Sequence, residues 1–208
     1  DLWKRIRFVL MAIIVYRIGT HIPIPGIDPD RLAELFDQNQ GTILEMFNLF
    51  SGGALERMSI FALNVVPYIS AAIIMQLFSN SIPYLQELKK DGQAGRNKIT
   101  QFTRYGTVLL AFIQASALAV TLSNSGLAYN PGTSFLVSAV FAVVAGTVFL
   151  MWLGEQVSER GIGNGISIII ATSILTGIPG AIAQSLEQAR QGDLNILLLI
   201  GIGVLALV

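Results

Sequence analysis

The sequence MSIFALNVVPYISAAIIMQLF, residues 58–78, runs for 21 positions without a charged side chain. The hydrocarbon core of a bilayer is about 30 Å thick, so a helix needs roughly 20 apolar residues to cross it. This stretch therefore predicts a transmembrane helix, and other apolar stretches precede and follow it. Together they predict an all-α fold, a polytopic bundle of transmembrane helices.

The composition agrees with a membrane protein and excludes several other classes. Hydrophobic residues make up 53% of the 208 residues and charged residues only 12%, fewer charges than a soluble domain carries. A net charge of zero provides no basic field for nucleic acid. The absence of cysteine excludes disulfides and thiolate metal sites, and a single histidine, His21, excludes multi-histidine sites.

Apolar stretches divide the chain into five predicted spans and the start of a sixth. The first is followed by Pro, Gly and Asp instead of a small-residue cleavage site, so it is not a cleavable signal peptide. The last is too short to cross, and we expect the natural polypeptide to continue. The predicted segments are a cytoplasmic lead with span one at 1–24, span two at 54–79, a cytoplasmic loop at 80–104, span three at 105–122, span four at 134–153, span five at 163–186 and a truncated span six at 194–208.

The distribution of lysine and arginine predicts the orientation, because cytoplasmic flanks carry an excess of these residues. Nine of them lie on the side of the N-terminus and three on the other side, so the N-terminus is predicted to be cytoplasmic. The first group is Lys4, Arg5, Arg7, Lys89, Lys90, Arg96, Lys98, Arg104 and Arg160, and the second is Arg31, Arg57 and Arg190.

Span two contains polar and helix-breaking residues that a simple membrane anchor does not need. Asn64 and Gln76 disfavour lipid, and Pro67 removes a backbone donor and is expected to kink the helix. Such breaks are tolerated where protein or water covers the freed backbone groups. Two interpretations stay open: a kinked helix in an ordinary bundle, or a helix that borders an aqueous path.

The segment 41–53, GTILEMFNLFSGG, is apolar at helical spacing but too short to cross a bilayer. Thr42 is a candidate N-cap, and Gly52 and Gly53 supply a flexible joint directly before span two. The segment is therefore either a helix lying on the membrane surface or a plug that folds into the mouth of a channel. Its predicted helical residues are Thr42, Ile43, Leu44, Met46, Phe47, Leu49 and Phe50.

No motif for catalysis or nucleotide binding is found. The run Gly161-Ile-Gly163-Asn-Gly165 follows a membrane span and not a strand, so it predicts a turn in which Asn164 caps the next helix. Spans two to five have no charged residue in their interiors, which disfavours a proton-coupled pump. Arg17 and His21 are interpreted as interfacial anchors. The basic residues of 80–104 are either topogenic charge or a docking surface.

Four stretches closely resemble the bacterial SecY family of translocon subunits. They are RIGTHIPIPGID (17–28), GTILEMFNLFSGGALERMSIFALNVVPYISAAIIMQL (41–77), GRNKITQFTRYGT (95–107) and MWLGEQVSERGIGNGISIII (151–170). The resemblance implies a channel with ten spans in two pseudo-symmetric halves, of which this chain is the N-terminal half. It implies passage of unfolded polypeptides across the bacterial inner membrane, lateral release into it, no enzymatic activity and no cofactor.

The resemblance also assigns roles to residues. Segment 41–53 corresponds to the family's plug with its hinge at Gly52 and Gly53, and span two corresponds to a lateral-gate helix. The implied residues are Val65, Ile69 and Ile170 in a hydrophobic pore ring, Asn64, Pro67 and Ile73 at the lateral gate, and Lys89, Lys90, Arg96, Lys98 and Arg104 in cytoplasmic docking. Valine at 65, where isoleucine is usual, implies a slightly wider collar.

The partners implied by the resemblance are the membrane subunits SecE and SecG, the SecA ATPase, a ribosome with its nascent chain, signal sequences and the lipid bilayer. From the residues alone a different class stays open, half of a small-molecule secondary transporter with broken helices at Pro67 and at 177–180. The lack of charged groups in mid-membrane disfavours it. An intramembrane enzyme has no paired acids, Ser/His pair or metal set to support it.

Overall fold

The structure, a computed structural model, describes residues 1–39, 42–192 and 196–207. These residues form α-helices joined by turns and two isolated β-bridges, and the predicted all-α class is confirmed. The helices are α1 (Leu2–Gly19), α2 (Pro29–Gln38), α3 (Ile43–Phe50), α4 (Val66–Ser81), α5 (Pro83–Lys90), α6 (Gln93–Asn124), α7 (Thr133–Arg160), α8 (Gly165–Arg190) and α9 (Ile196–Leu207).

Three of the described helices, α6, α7 and α8, are long and apolar enough to cross a membrane. They contain the predicted spans three and four and nearly all of span five. Helices α6 and α7 form the most extensive contact in the fold. Ala111, Ala115 and Ala119 recur every fourth residue of α6 and are buried. Such small side chains let two membrane helices approach closely, which builds the rigid side of the bundle.

The predicted cytoplasmic loop 80–104 is mostly helical, which corrects the sequence prediction. Helix α5 and the first part of α6 fill it, with a turn at Gly92, whose φ is 71°. Pro83 occupies the first turn of α5, where its missing N–H is not needed. Leu85 and Leu88 are buried while the lysines of α5 are exposed. The charges that suggested a loop therefore form the solvent face of an amphipathic helix.

The first half of predicted span two is not helical, a second correction. Residues 51–65 run through turns, and helix α4 begins only at Val66 and has 16 residues. Pro67 lies in the first turn of α4 and therefore starts the helix instead of kinking it. Met58 and Asn64 have φ values of 42° and 51°, a left-handed conformation that a continuous right-handed helix does not contain.

Span one also ends earlier than predicted, because α1 stops at Gly19. The chain then pairs antiparallel with the non-helical part of span two, through a bridge between Pro23 and Ser59. Ile24 N–H donates to the Met58 carbonyl at 2.8 Å, and Ile60 N–H donates to the Ile22 carbonyl at 3.1 Å. This pairing satisfies backbone groups that lipid cannot.

The prediction for span six falls partly outside the described residues, at 194–195 and 208. Residues Ile196–Leu207 form α9. The predicted turn between spans four and five is present, since the Asn164 side chain accepts from the N–H groups of Ile166 and Ser167 at 3.0 and 3.3 Å. Asn164 is thus the N-cap of α8, as its position in the sequence predicts.

Candidate functional site: an apolar collar beside a hinged helix

The three residues assigned to a pore ring belong to one apolar cluster. Val65 is the N-cap of α4 and is only 2% exposed. Ile69 donates its N–H to the Val65 carbonyl at 3.0 Å, one turn further along. Ile170 comes from α8 and packs with Ile69 against the same buried residues. The structure therefore brings these residues together, with Val65 covered and the two isoleucines at the edge of the cluster.

Ile73 does not join this cluster. It lies one turn beyond Ile69 on α4 and is 54% exposed. Its neighbour in the proposed lateral gate, Pro67, is buried at the start of the helix. Asn64 is 6% exposed and its Nδ2 donates to the Ser173 hydroxyl of α8 at 3.2 Å. Two of the three predicted gate residues are therefore buried at the start of α4, and the third is exposed further along the helix.

An apolar cavity of about 470 Å³ separates the non-helical segment before α4 from the side of α6. Leu63 and Val66 line it from one side and Gln114 and Leu118 from the other. Ordinary interiors are close-packed, so at this place α6 and the segment before α4 are not packed directly against each other.

The predicted plug helix is present as α3, and it packs against α8. Thr42 precedes it, and its hydroxyl donates to the Asn39 carbonyl at 2.6 Å. Ile43 is 71% exposed and Leu44 is half-buried. The predicted plug residues whose side chains lie outside the described part of the structure are Met46, Phe47, Leu49 and Phe50, and Gly41 lies outside it entirely.

The two predicted hinge glycines have left-handed backbone conformations. Gly52 and Gly53 have φ values of 66° and 82°, in the region that side chains disfavour. A Cβ atom on Gly52 would lie 3.2 Å from the Cα atom of Ser173. The hinge therefore needs glycine at position 52 both for its backbone angle and for its close approach to α8.

Three successive carbonyls of the hinge each accept a hydrogen bond from a side chain. The Tyr16 hydroxyl donates to Ser51 at 3.2 Å, Arg17 Nη1 donates to Gly52 at 3.3 Å and Arg57 Nη1 donates to Gly53 at 3.4 Å. Arg17 was interpreted from sequence as an interfacial anchor, but its guanidinium contacts the hinge. His21 is exposed and its Nδ1 lies 2.8 Å from the Arg17 carbonyl.

The Tyr16 and Ser173 hydroxyls are hydrogen-bonded to each other, a contact that sequence analysis missed. The Ser173 hydroxyl also lies 2.9 Å from the carbonyl oxygen of Ile169. Because each hydroxyl has one hydrogen, only two of the three contacts among Tyr16, Ser173 and the carbonyls of Ser51 and Ile169 are hydrogen bonds at any one time. Both side chains are almost fully buried, at 1% and 0% exposure. The only available signal was a tyrosine and a serine within apolar stretches, where a polar group needs a partner.

The predicted docking residues divide into two groups. Lys89, Lys90, Arg96 and Lys98 are exposed, and Lys89 Nζ donates to Asn80 Oδ1 at 3.1 Å. Arg104 is different, because its Nε and Nη2 donate to the two carboxylate oxygens of Glu155 on α7 at 2.7 and 2.9 Å. This two-point ion pair joins α6 to α7, so Arg104 has a structural partner and is not part of the exposed basic surface.

We expect Arg104→Ala to destabilise the bundle by about 1–2 kcal/mol, since Glu155 is left without its partner although solvent reaches both groups. The side chains are 40% and 24% exposed, which keeps the effect below that of a buried pair. Thermal unfolding of the purified full-length protein measures it. Lys98→Ala, on the exposed face of the same helix, is the control and should shift the midpoint little. Equal shifts for both variants would contradict a specific role for this pair.

Comparison with known proteins gives a consistent set of matches. The family model SecY matches residues 59–208. Protein translocase subunit SecY of Pseudomonas aeruginosa is 61% identical over 206 residues, covering 99% of this chain and 47% of that protein. Protein translocase subunit SecY of Escherichia coli K12 is 57% identical over 209 residues, with the same coverage of each chain. This chain thus spans about half the length of these curated relatives.

Solved structures with the same fold are more distant in sequence. A protein-conducting channel matches with a TM-score of 0.63 at 19% identity, covering 94% of this chain and 43% of that one. Sec61 from a canine ribosome–channel complex of the endoplasmic reticulum has the same score, identity and coverage. A third match, with a TM-score of 0.60 and 20% identity, covers 94% of this chain and 42% of that one. It is a structure of the SecY channel whose plug domain is described as stabilising the closed state and maintaining a membrane seal. At such identities the likeness shows the fold alone.

Proposed function

Because this chain belongs to the SecY family, we propose that it forms the N-terminal half of the central channel subunit of a protein translocase. The complete subunit has ten spans in two pseudo-symmetric halves. It is a passive pore for secretion of unfolded polypeptides and for lateral insertion of membrane proteins. The observation that carries this proposal is a short helix, α3, that is joined by two left-handed glycines to a broken span and packs against α8, the helix that contributes Ile170 to the apolar cluster.

In this proposal the pore ring consists of Val65, Ile69 and Ile170, completed by residues of the second half. Branched apolar side chains make a dry constriction that resists ion flow and adapts to a passing chain without binding its sequence. The clustering of the three residues around the start of α4 supports this role. Ile69 and Ile170 are only partly buried, so they are the members of this half that meet the translocating chain.

Helix α3 is the proposed plug, and residues 51–53 are its hinge. When closed, α3 lies against α8, and when open it swings aside around Gly52 and Gly53. The solved relative whose plug domain stabilises the closed channel supports this assignment by likeness of fold. The apolar cavity between residues 62–66 and α6 supports a gate role for the start of α4. Asn64, Pro67 and Ile73 would border the route that a signal sequence takes toward lipid.

The chain is a multi-pass membrane protein. We place it in the bacterial inner membrane with its N-terminus in the cytoplasm, because the excess of lysine and arginine is on that side. The exposed lysines and arginines of α5 and early α6 then face the cytoplasm and dock a partner. The residues of this docking surface are Lys89, Lys90, Arg96 and Lys98.

The proposed partners are SecE and SecG within the membrane and SecA or a translating ribosome on the cytoplasmic side. The likeness in fold to Sec61 in a ribosome–channel complex supports the ribosome. The family consists of channel subunits and not enzymes, so the driving force comes from SecA ATP hydrolysis or from translation. Half of a small-molecule secondary transporter is the less favoured alternative, since the relatives matched are protein translocase subunits.

Site-specific crosslinking tests the proposed function. The chain has no cysteine, so Ile69→Cys in the full-length protein, with any cysteine in the second half removed, reports alone. A secretory polypeptide carrying one cysteine is stalled in mid-transit and the membrane is oxidised. We expect a disulfide that depends on translocation. Ile43→Cys, on an exposed position of α3, is the matched control and should give a weaker product in the stalled complex.

A failure to form the disulfide also tests the collar assignment. If the stalled complex is proven to be engaged and no disulfide forms at position 69, this residue does not line the path and the collar assignment is wrong. Crosslinking that is independent of the stalled polypeptide would have the same meaning. Failure of the full-length protein to move any polypeptide would contradict the translocase function itself and favour the small-molecule transporter.

A further inference from the structure

The hinge of α3 is bound to the rest of the bundle through buried hydroxyl groups. We propose that Tyr16, Asn64 and Ser173, here called the hinge latch, hold residues 51–53 closed and set how readily α3 leaves its position. This inference rests on the proposed function, because it concerns the resting state of the same channel. It names residues that no part of the plug or the collar contains.

The hydrogen bonds of the hinge latch converge on the Ser173 hydroxyl. It accepts from Asn64 Nδ2 at 3.2 Å, and it donates to the Tyr16 hydroxyl when that hydroxyl donates to Ser51; the alternative acceptor for Ser173, the carbonyl of Ile169, lies at 2.9 Å. The Tyr16 hydroxyl in turn lies 3.2 Å from the carbonyl oxygen of Ser51. All of these residues are buried, so water does not compete for the bonds.

Each member comes from a different part of the fold. Tyr16 belongs to α1, Asn64 to the non-helical segment before α4, and Ser173 to α8. Ser51 follows directly after α3 and begins the hinge. The latch therefore ties the moving helix to two helices of the bundle and to the proposed gate at once, which is the connection needed to coordinate plug and gate.

The latch holds a defined geometry because its tyrosine ring is fixed. Tyr16 stacks on Phe61 with ring centroids 5.9 Å apart and planes within 6° of parallel, and Phe61 stacks on Phe149 of α7 in the same way. An oriented ring places its hydroxyl with little loss of entropy. Ser173 also meets Gly52 directly, since a Cβ on that glycine would touch its backbone.

Opening the hinge requires the bond between the Tyr16 hydroxyl and the Ser51 carbonyl to break, and Ser173 strengthens that bond by orienting the Tyr16 hydroxyl. When α3 swings out, the Ser51 carbonyl leaves the Tyr16 hydroxyl and Gly52 separates from Ser173. A buried hydrogen bond contributes about a fivefold change in an equilibrium between two states. Removing one hydroxyl should therefore raise the population of the unlatched state by about fivefold, while the apolar packing of the ring is retained.

The experiment uses the full-length protein with the membrane subunits that accompany it, reconstituted into planar bilayers. Resting ion conductance is measured without a translocating chain, and export is measured in parallel. We expect Tyr16→Phe and Ser173→Ala each to raise resting conductance about fivefold while export continues. The double variant should raise it less than the product of the two, because both changes remove the same bond. Tyr129→Phe, at a tyrosine that is 62% exposed, is the matched control.

The outcomes separate the latch from the proposed function. If resting conductance is unchanged in both variants while export is intact, the hinge latch is wrong and the proposed channel function is unaffected. A wild-type protein that exports nothing would instead contradict the proposed function. Loss of folded protein from the membrane in both variants would also overturn the latch, because the hydroxyls would then support the bundle and not the hinge.

Discussion

Gly146→Ala is expected to destabilise the folded bundle by about 3 kcal/mol, the upper end of the usual cost of overpacking. A Cβ atom at this position would lie 2.1 Å from the carbonyl oxygen of Ile60 and 2.8 Å from its carbonyl carbon. Backbone atoms cannot rotate away as the end of a side chain does. Ile60 is also held in place by a backbone hydrogen bond, since its N–H donates to the Ile22 carbonyl at 3.1 Å. The non-helical segment before α4 would have to leave α7.

Thermal unfolding of the purified full-length protein measures this effect, together with the amount of protein that reaches the membrane. Gly180→Ala on α8 is the matched control, because no atom beyond its chain neighbours and the backbone of its own helix lies within 4 Å of the added Cβ. Alanine is a better helix former than glycine, so this control should keep or slightly raise stability. If the thermal unfolding midpoint of Gly146→Ala equals that of the wild type, residues 58–65 are free to move away from α7, contrary to their close contact with Gly146.

Deletion of residues 42–51 is expected to raise resting ion conductance by at least tenfold and to leave export in place. The deletion removes α3 and its contact with α8, while Val65, Ile69 and Ile170 remain. An apolar collar without a plug still slows ions but has lost the element packed beside it. Conductance in planar bilayers and export by the same preparation are measured side by side.

The control for the deletion is Ile43→Ala, a change on an exposed position of α3 that should leave the resting conductance as it was. Two results would contradict a plug. Resting conductance equal to that of the wild type would show that α3 does not seal the channel. Loss of export in a protein that still folds and inserts would show that α3 is a structural part of the transport path.

Much of the fold can be predicted from sequence because a membrane helix must be long and free of charge. Helices α6, α7 and α8 contain predicted spans three and four and nearly all of span five, and their ends extend into charged sequence that a hydropathy argument assigns to loops. The break in span two could not be predicted, since residues 58–65 are as apolar as the residues of a membrane-spanning helix. Pro67 was predicted to kink the helix but starts it, because the residues before it pair with residues 22–24, a contact that the local sequence does not reveal.

The candidate site likewise has a part that the sequence predicts and a part that it does not. The short helix and its two glycines are evident from local sequence, because their signal lies within thirteen neighbouring positions. Tyr16 and Ser173 are 157 positions apart and Arg104 and Glu155 are 51 apart, and nothing local joins either pair. The sequence does contain one signal for the second pair, because Glu155 is an acidic residue just after a long apolar run, where a charge usually needs a partner.

The three carbonyls at residues 51–53 imply that hydration controls the speed of opening. Each is bonded to a side-chain donor, from Tyr16, Arg17 or Arg57. If water replaces the donor as the hinge turns, the exchange costs little. Without water the Gly52 carbonyl would lose its donor at a cost of about 1–3 kcal/mol, whereas the carbonyls of Ser51 and Gly53 also accept from the N–H groups of Ala54 and Arg57. In the proposed channel, water that reaches residues 51–53 therefore lowers the cost of turning the hinge, and α3 should move fastest when these carbonyls are already hydrated.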